Sequence, residues 1–224
     1  MSRDASIFAR VRPWLGWLVL AGELRGDHQA TSGIADRLLE KADPSLGVIW
    51  IDPEAAASPG VERVIEDIEP LLAAPVERLG PRDDMPGHDL EIGLILMTGR
   101  DIALWHAVLG SSPTGRWVAD RLDTGSVVFA CGGPAAALGA VSYPEGPGGP
   151  EKPGLGWLPG AVLLPGVSHP ADHPEVKQYL SETDHSYALG LEPGAAVAIG
   201  PNGEVEVWAG GPPKIVLGRG WMTT

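Results

Sequence analysis

Residues Gly125–Ala140, G-S-V-V-F-A-C-G-G-P-A-A-A-L-G-A, constrain the fold more than any other stretch of this chain. Ser126 to Phe129 read as a buried strand. Ala130-Cys131-Gly132-Gly133 follows as a tight turn of small residues, and Pro134 opens an Ala-rich helix. Proline suits a first helical position, where no backbone N–H is needed. Strand, sharp turn and helix in this order make a nucleophile elbow, which lifts one side chain above a sheet and aims a helix N-terminus at it. Small residues permit the close backbone approach that such a turn demands. No serine stands in the turn, so the architecture is present and its expected nucleophile is not.

The stretches before the elbow alternate between two periodicities. Leu15–Leu20 reads as a first strand, Leu46–Ile51 as a second, Pro75–Leu79 as a short third and Leu90–Met97 as a long apolar one. Between them, Gln29–Lys41 carries Ile34, Leu38 and Leu39 at helical spacing, and Val61, Val64, Ile65 and Ile68 mark a second helix ending near Pro70. Ile102–Leu109 and Thr114–Leu122 read as helices, with Gly110-Ser111-Ser112-Pro113 as a link capped by Ser or Thr. Almost wholly apolar strands alternating with helices predict a mostly parallel sheet covered on both faces. Sites in such sheets gather at the C-terminal strand ends, here Gly22-Glu23, Thr98-Gly99-Arg100 and Cys131-Gly132.

Downstream, Tyr143–Pro153 is a Pro/Gly-rich loop, expected to be either flexible or a lid over the site. Ala161–Leu164 reads as a strand, Ser168–His173 as a His-containing loop and Pro174–Ser181 as a helix. Tyr187–Leu191, Ala195–Ile199, Val205–Ala209 and Lys214–Leu217 read as strands, predicted to form an antiparallel extension of the same sheet. The expectation is therefore a flavodoxin-like three-layer α/β sandwich, with residues 1–224 as a single domain.

Composition narrows the function classes. Sixteen Lys+Arg against 29 Asp+Glu give a formal charge of -13, which argues against a nucleic-acid backbone or an anionic membrane as partner. A single cysteine excludes an intramolecular disulfide framework and a multi-Cys zinc site, and suits a cytoplasmic setting. Arg3, Arg10 and Arg12 precede an apolar run from Trp14 to Ala21. That run is short, contains Gly16 and lacks a small-x-small cleavage site, so it reads as a first strand and not as a signal peptide. No apolar run reaches the ~20 residues a membrane span needs.

The order of motifs resembles the cyanophycinase / dipeptidase E (aspartyl dipeptidase) family of serine peptidases, within the class I glutamine amidotransferase-like superfamily. Leu20-Ala21-Gly22-Glu23 is similar to that family's opening strand and Gly-Gly-Glu turn. Thr98-Gly99-Arg100-Asp101 is similar to its Gly-Gly-(Asn/Asp)-Gln turn, and Gly125–Ala137 to its strand and G-x-S-A-G-A elbow. Gly154–Gly160 is similar to its G-L-G-L-L-P-G segment, and the Ala188–Gly203 region to its G-I-D-E-x-T-A-L ending. The resemblance implies a Ser–His–Glu hydrolytic site, from which this chain departs at each position. Without gaps the nucleophile falls on Gly132. Starting the motif at the paired glycines puts it on Pro134, and a third frame makes Cys131 the nucleophile, as in PfpI-like proteins. The family's histidine falls on Gly166, with His169 three residues on, and its acidic residue falls on Pro193, beside Glu192.

Two hypotheses follow. In the first, the chain is a non-catalytic relative that keeps its pocket for a small acidic or peptide-like ligand, or serves as a scaffold, with a homodimer expected. Arg100 then binds a carboxylate through its planar fork, with Glu23 beside it, and Gly99 offers an oxyanion-type backbone N–H, as the resemblance implies. In the second, Cys131 at the helix N-terminus is a thiolate nucleophile, His169 its base and Glu192 the orienting acid, with N–H groups near Gly99 and Gly133 holding the oxyanion. No cofactor and no metal are expected. His169 and His173 flank Pro170-Ala171-Asp172, and the prolines keep them off one helix face.

Overall fold

The computed structural model describes residues 14–24, 28–54, 59–80, 85–87, 90–208 and 211–221. The basic segment with Arg3, Arg10 and Arg12, parts of the loops at 52–60 and 80–89, and Ala209 lie outside the described residues. In chain order the elements are β1 (Trp17–Ala21), α1 (His28–Lys41), β2 (Gly47–Ile51), α2 (Pro59–Ile68), β3 (Glu77–Leu79) and β4 (Ile92–Gly99). Next come α3 (Ile102–Leu109), α4 (Pro113–Thr124), β5 (Val127–Gly132), α5 (Gly133–Ala137), β6 (Val141–Ser142), β7 (Lys152–Pro153) and β8 (Ala161–Pro165). The chain ends with α6 (Pro174–Glu182), β9 (Tyr187–Leu191), β10 (Ala196–Ile199), β11 (Val205–Trp208) and β12 (Lys214–Leu217).

Seven strands form the central sheet in the order β11-β10-β1-β5-β4-β2-β3. Its β1, β5, β4, β2 and β3 run parallel, while β10 and β11 add the antiparallel extension. The extension stops there. β12 pairs with β9, β9 with β8, β8 with β6 and β6 with β7, in a second, five-stranded sheet ordered β12-β9-β8-β6-β7. The chain passes between the sheets three times, after β5, after β9 and after β11.

Strand alternation decides what each face meets. Val19, Ala21, Leu94, Leu96, Val127, Phe129 and Cys131 point to one face of the central sheet and pack against Ile34 and Leu38 of α1 and Val61, Val64 and Ile68 of α2. Leu18, Leu20, Ile95, Met97, Val128 and Ala130 point to the other. There they meet Trp105 of α3, Trp117 and Leu122 of α4, Ala135 of α5, and Leu163, Tyr187 and Leu189 of the second sheet. α6 covers the far face of that sheet through Val176 and Leu180. With helices on both sides of a mostly parallel sheet, the fold is a flavodoxin-like three-layer α/β sandwich.

Local signals explain the clearest boundaries. Asp101 caps α3, accepting from the Leu104 N–H at 2.9 Å, and Ser112 caps α4, accepting from Gly115. Gly125 closes α4 in the left-handed region, at φ 116°. Among the described residues, no helix is long and apolar enough to cross a membrane.

Candidate functional site

Three strand ends meet at the elbow. β5 lies between β1 and β4, with Cys131 level with Ala21 on one side and Thr98 on the other, and Gly132 level with Gly99. The strand therefore runs through Ala130 and Cys131, which the sequence assigns to the turn, and the turn itself falls on Gly132. This residue has φ 78° and ψ -124°, a conformation reserved in practice for glycine unless the surroundings enforce it. It is the sharp strand-to-helix junction of an elbow, and it carries no side chain. A Cβ on Gly132 would sit 2.7 Å from the Gly99 carbonyl oxygen, too close for any real side chain.

Beside this turn lies a cleft of about 100 Å³ lined by Glu23, Arg100, Ile102, Gly132, Gly133, Ala136 and Pro165. Four residues singled out from separate strand ends thus share one small concavity. Arg100 is 80% exposed, and its Nε lies 3.8 Å from Oε1 of the half-exposed Glu23. An exposed pair at that distance is weakly coupled and open to competition from an incoming charged group. The Glu23 loop is held from behind by the turn after β9. The Gly22 N–H donates to the Ala195 carbonyl at 2.9 Å, and the Gly194 N–H to the Glu23 carbonyl at 3.0 Å.

Cys131 faces away from this cleft. Period-2 alternation puts it with Val127 and Phe129 on the α1/α2 side of the sheet, 4% exposed. Its Sγ donates to the Gly22 carbonyl at 3.1 Å. Burial pushes the thiol up to about 12; a backbone hydrogen bond at Leu24 opposes this, and the charge of Glu23 adds to it. The expected thiolate is therefore corrected: the apolar surroundings keep the sulfur protonated, and it is not directed at the cleft.

The other two members of the expected triad do not gather round it. His169 is exposed in the loop after β8, at the start of a 3-10 turn (Pro170–Asp172). Glu192 is half-buried just after β9, and its carbonyl accepts from Ala195 at 3.0 Å. Among the described residues no hydrogen bond joins Cys131, His169 and Glu192. Gly166 is exposed, next to the cleft-lining Pro165, and its N–H donates to the Leu191 carbonyl at 2.7 Å.

In the Gly99–Asp101 turn the two N–H groups that follow Gly99 are already engaged. Oε1 of Glu54, in the loop after β2, accepts from both the Arg100 N–H at 2.6 Å and the Asp101 N–H at 2.7 Å. Two backbone donors of the turn thus point at a carboxylate of the chain itself. Nothing in the sequence around Glu54 announces this contact, because its partners lie 46 and 47 residues away. A second unannounced pair is His106 of α3 with the buried Ser142 of β6, Nε2 to Oγ at 2.9 Å. Burial and then the nearby Lys152 lower the His106 pKa. A third is the buried Asp52, 2.5 Å from the Arg78 guanidinium, which lies 4.4 Å over the Trp50 ring.

The Tyr143–Pro153 loop contributes no residue to the cleft lining. It is tied elsewhere: the Tyr143 hydroxyl donates to Glu151 at 3.3 Å and reaches the Glu175 carbonyl of α6 at 3.4 Å. Among the described residues, no group of three or more His, Cys, Asp or Glu side chains is placed to hold a metal ion.

No family model and no curated protein matches the chain. Its fold matches a solved structure described as a peptidase from an acI-B1 Actinobacterium, with a TM-score of 0.61 and 16% sequence identity, over 91% of this chain and 95% of that one. The chain thus shares the fold of a peptidase.

Proposed function

We propose that this chain is a non-catalytic relative of the cyanophycinase / dipeptidase E-type peptidases, and that its elbow cleft binds a small acidic or peptide-like ligand. The observation that carries the reading is Gly132: elbow backbone, no nucleophile, and no space for one under the Gly99 carbonyl. A Ser–His–acid mechanism needs all three groups in contact. Here the matching positions are Gly132, Gly166 and Pro193.

Binding needs less than catalysis. Arg100 supplies a charged fork for a carboxylate, and Glu23 supplies the opposite charge for an ammonium group. The cleft is small, about 100 Å³, and open to solvent, so it suits a small ligand or the end group of a larger one.

The test uses aspartyl-alanine and free L-aspartate as probes. Amide chemical shifts at Arg100, Gly132 and Gly133 are expected to move on titration, with no hydrolysis of the dipeptide over days. Arg100→Ala is expected to weaken binding by about tenfold, ~1.4 kcal/mol, the scale of a lost charge-assisted hydrogen bond. Turnover of the dipeptide would overturn the non-catalytic assignment, and unmoved amides would overturn the ligand assignment.

A further inference from the structure

The two sheets present a matched pair of apolar edges. β11 is the outer strand of the central sheet, and β12 is an outer strand of the second sheet. Val205 and Val207 of β11 stand opposite Ile199 and Val197, and Ile215 and Leu217 of β12 stand opposite Leu189 and Tyr187. Directly opposed residues of an antiparallel pair share a face. All four of those partners belong to the core between the sheets. The four edge residues therefore continue the face of that core beyond its buried part, and they are 43%, 53%, 45% and 47% exposed.

Edge strands offer free N–H and C=O groups, and soluble proteins ordinarily blunt them with charge or proline. These two carry charge, Glu206 and Lys214, with Pro212 and Pro213 before β12, yet each also alternates apolar residues along its inner side. Their flanks carry opposite charge. Glu204 precedes β11, Glu206 lies within it on the α1 side, opposite Ala198, and Lys214 begins β12. Glu206 is engaged by Lys41 at 2.6 Å, whereas Glu204 and Lys214 are exposed and enter no ion pair among the described residues.

We propose that this margin is the interface of a two-fold homodimer, in which β11 of each copy faces β12 of the other. A two-fold axis requires that if one patch meets a second, the second meets the first. The acidic β11 and the basic β12 satisfy that condition with complementary charge, whereas β11 against β11 would set acid against acid. Val205, Val207, Ile215 and Leu217 form the apolar centre and the charges form the rim, the usual anatomy of such interfaces.

The experiment is sedimentation equilibrium of the full chain from about 1 to 500 μM, repeated on variants with circular dichroism and thermal melts as folding controls. Wild type is expected to be a dimer. Val207→Lys and Leu217→Lys are each expected to weaken it by roughly 30-fold or more, as for a central interface side chain. Glu204→Lys and Lys214→Glu singly are expected to weaken it, and the Glu204→Lys/Lys214→Glu double exchange to restore it. A wild-type monomer across the range, or a dimer untouched by the lysine variants, would overturn the proposal. Failure of the double exchange to rescue would overturn the β11-to-β12 pairing. Should a lysine variant fail to fold, the exposed charge series still decides.

Discussion

Gly132 shows how a residue can hold an elbow conformation without presenting a side chain. Its φ of 78° and the Gly99 carbonyl 2.7 Å from any Cβ act in the same direction, against a side chain at this point. Gly132→Ser is therefore expected to show no turnover of aspartyl substrates and to lose roughly 1–3 kcal/mol of stability, the range for a side chain forced into a sparsely populated region. Hydrolysis assays beside thermal melts check this; turnover with an unchanged melting temperature would refute it. Cys131 offers an independent check at the same scale. With its thiol pushed up to about 12, alkylation by iodoacetamide at pH 8 should be far slower than for a free thiol, and should reach the free rate only in denaturant. The burial is illegible in the sequence because Ala130 and Cys131, small residues ahead of two glycines, read as turn. Once β5 runs to Gly132, simple alternation sends Cys131 to the α1/α2 face.

Elements with local stop signals were the legible ones. The sequence reading of α3 agrees with its observed span, Ile102–Leu109, because Asp101 caps one end and Gly110 follows the other. β5 was read short because what prolongs it lies far away in sequence, in the flanking ends of β1 and β4. Glu54 was missed for the same reason, its two donors being on another loop. Contacts between elements also set a pH dependence. His106 ties α3 to β6 through Ser142, and its pKa is lowered first by burial and then by Lys152. The folded protein thus binds this proton less readily than the unfolded chain does. Its contribution to stability is present above the ordinary value of 6.5, and is lost as pH falls from there to the lowered folded value. Denaturant midpoints measured from pH 7.5 to 5 should therefore decline less steeply in His106→Gln than in wild type. Identical slopes would remove His106 as a cause.

Across the whole molecule, the division into two sheets was the largest feature hidden in the sequence. β8, β9 and β12 have the same apolar character as central-sheet strands, and nothing local separates the three connections that cross between the sheets from those that do not. One continuous core nevertheless joins Leu18 and Val128 of the central sheet to Leu163 and Leu189 of the second. Leu189 is fully buried there. Leu189→Ala is expected to cost about 2–5 kcal/mol and to lower one cooperative transition, with tryptophan fluorescence and far-UV circular dichroism coinciding. Two separated transitions would mean that the sheets are held independently.

The floor of the cleft is main chain, and that changes how its use can be mapped. Truncation scans find a site by deleting atoms, but Gly132 and Gly133 have none to delete. A methyl at Gly133 would meet the Arg100 carbonyl carbon and oxygen at 2.9 Å, as one at Gly132 would meet Gly99. The informative changes for this surface are therefore additions and not deletions, and at these two glycines an added methyl tests the backbone's tolerance before it tests what the cleft receives.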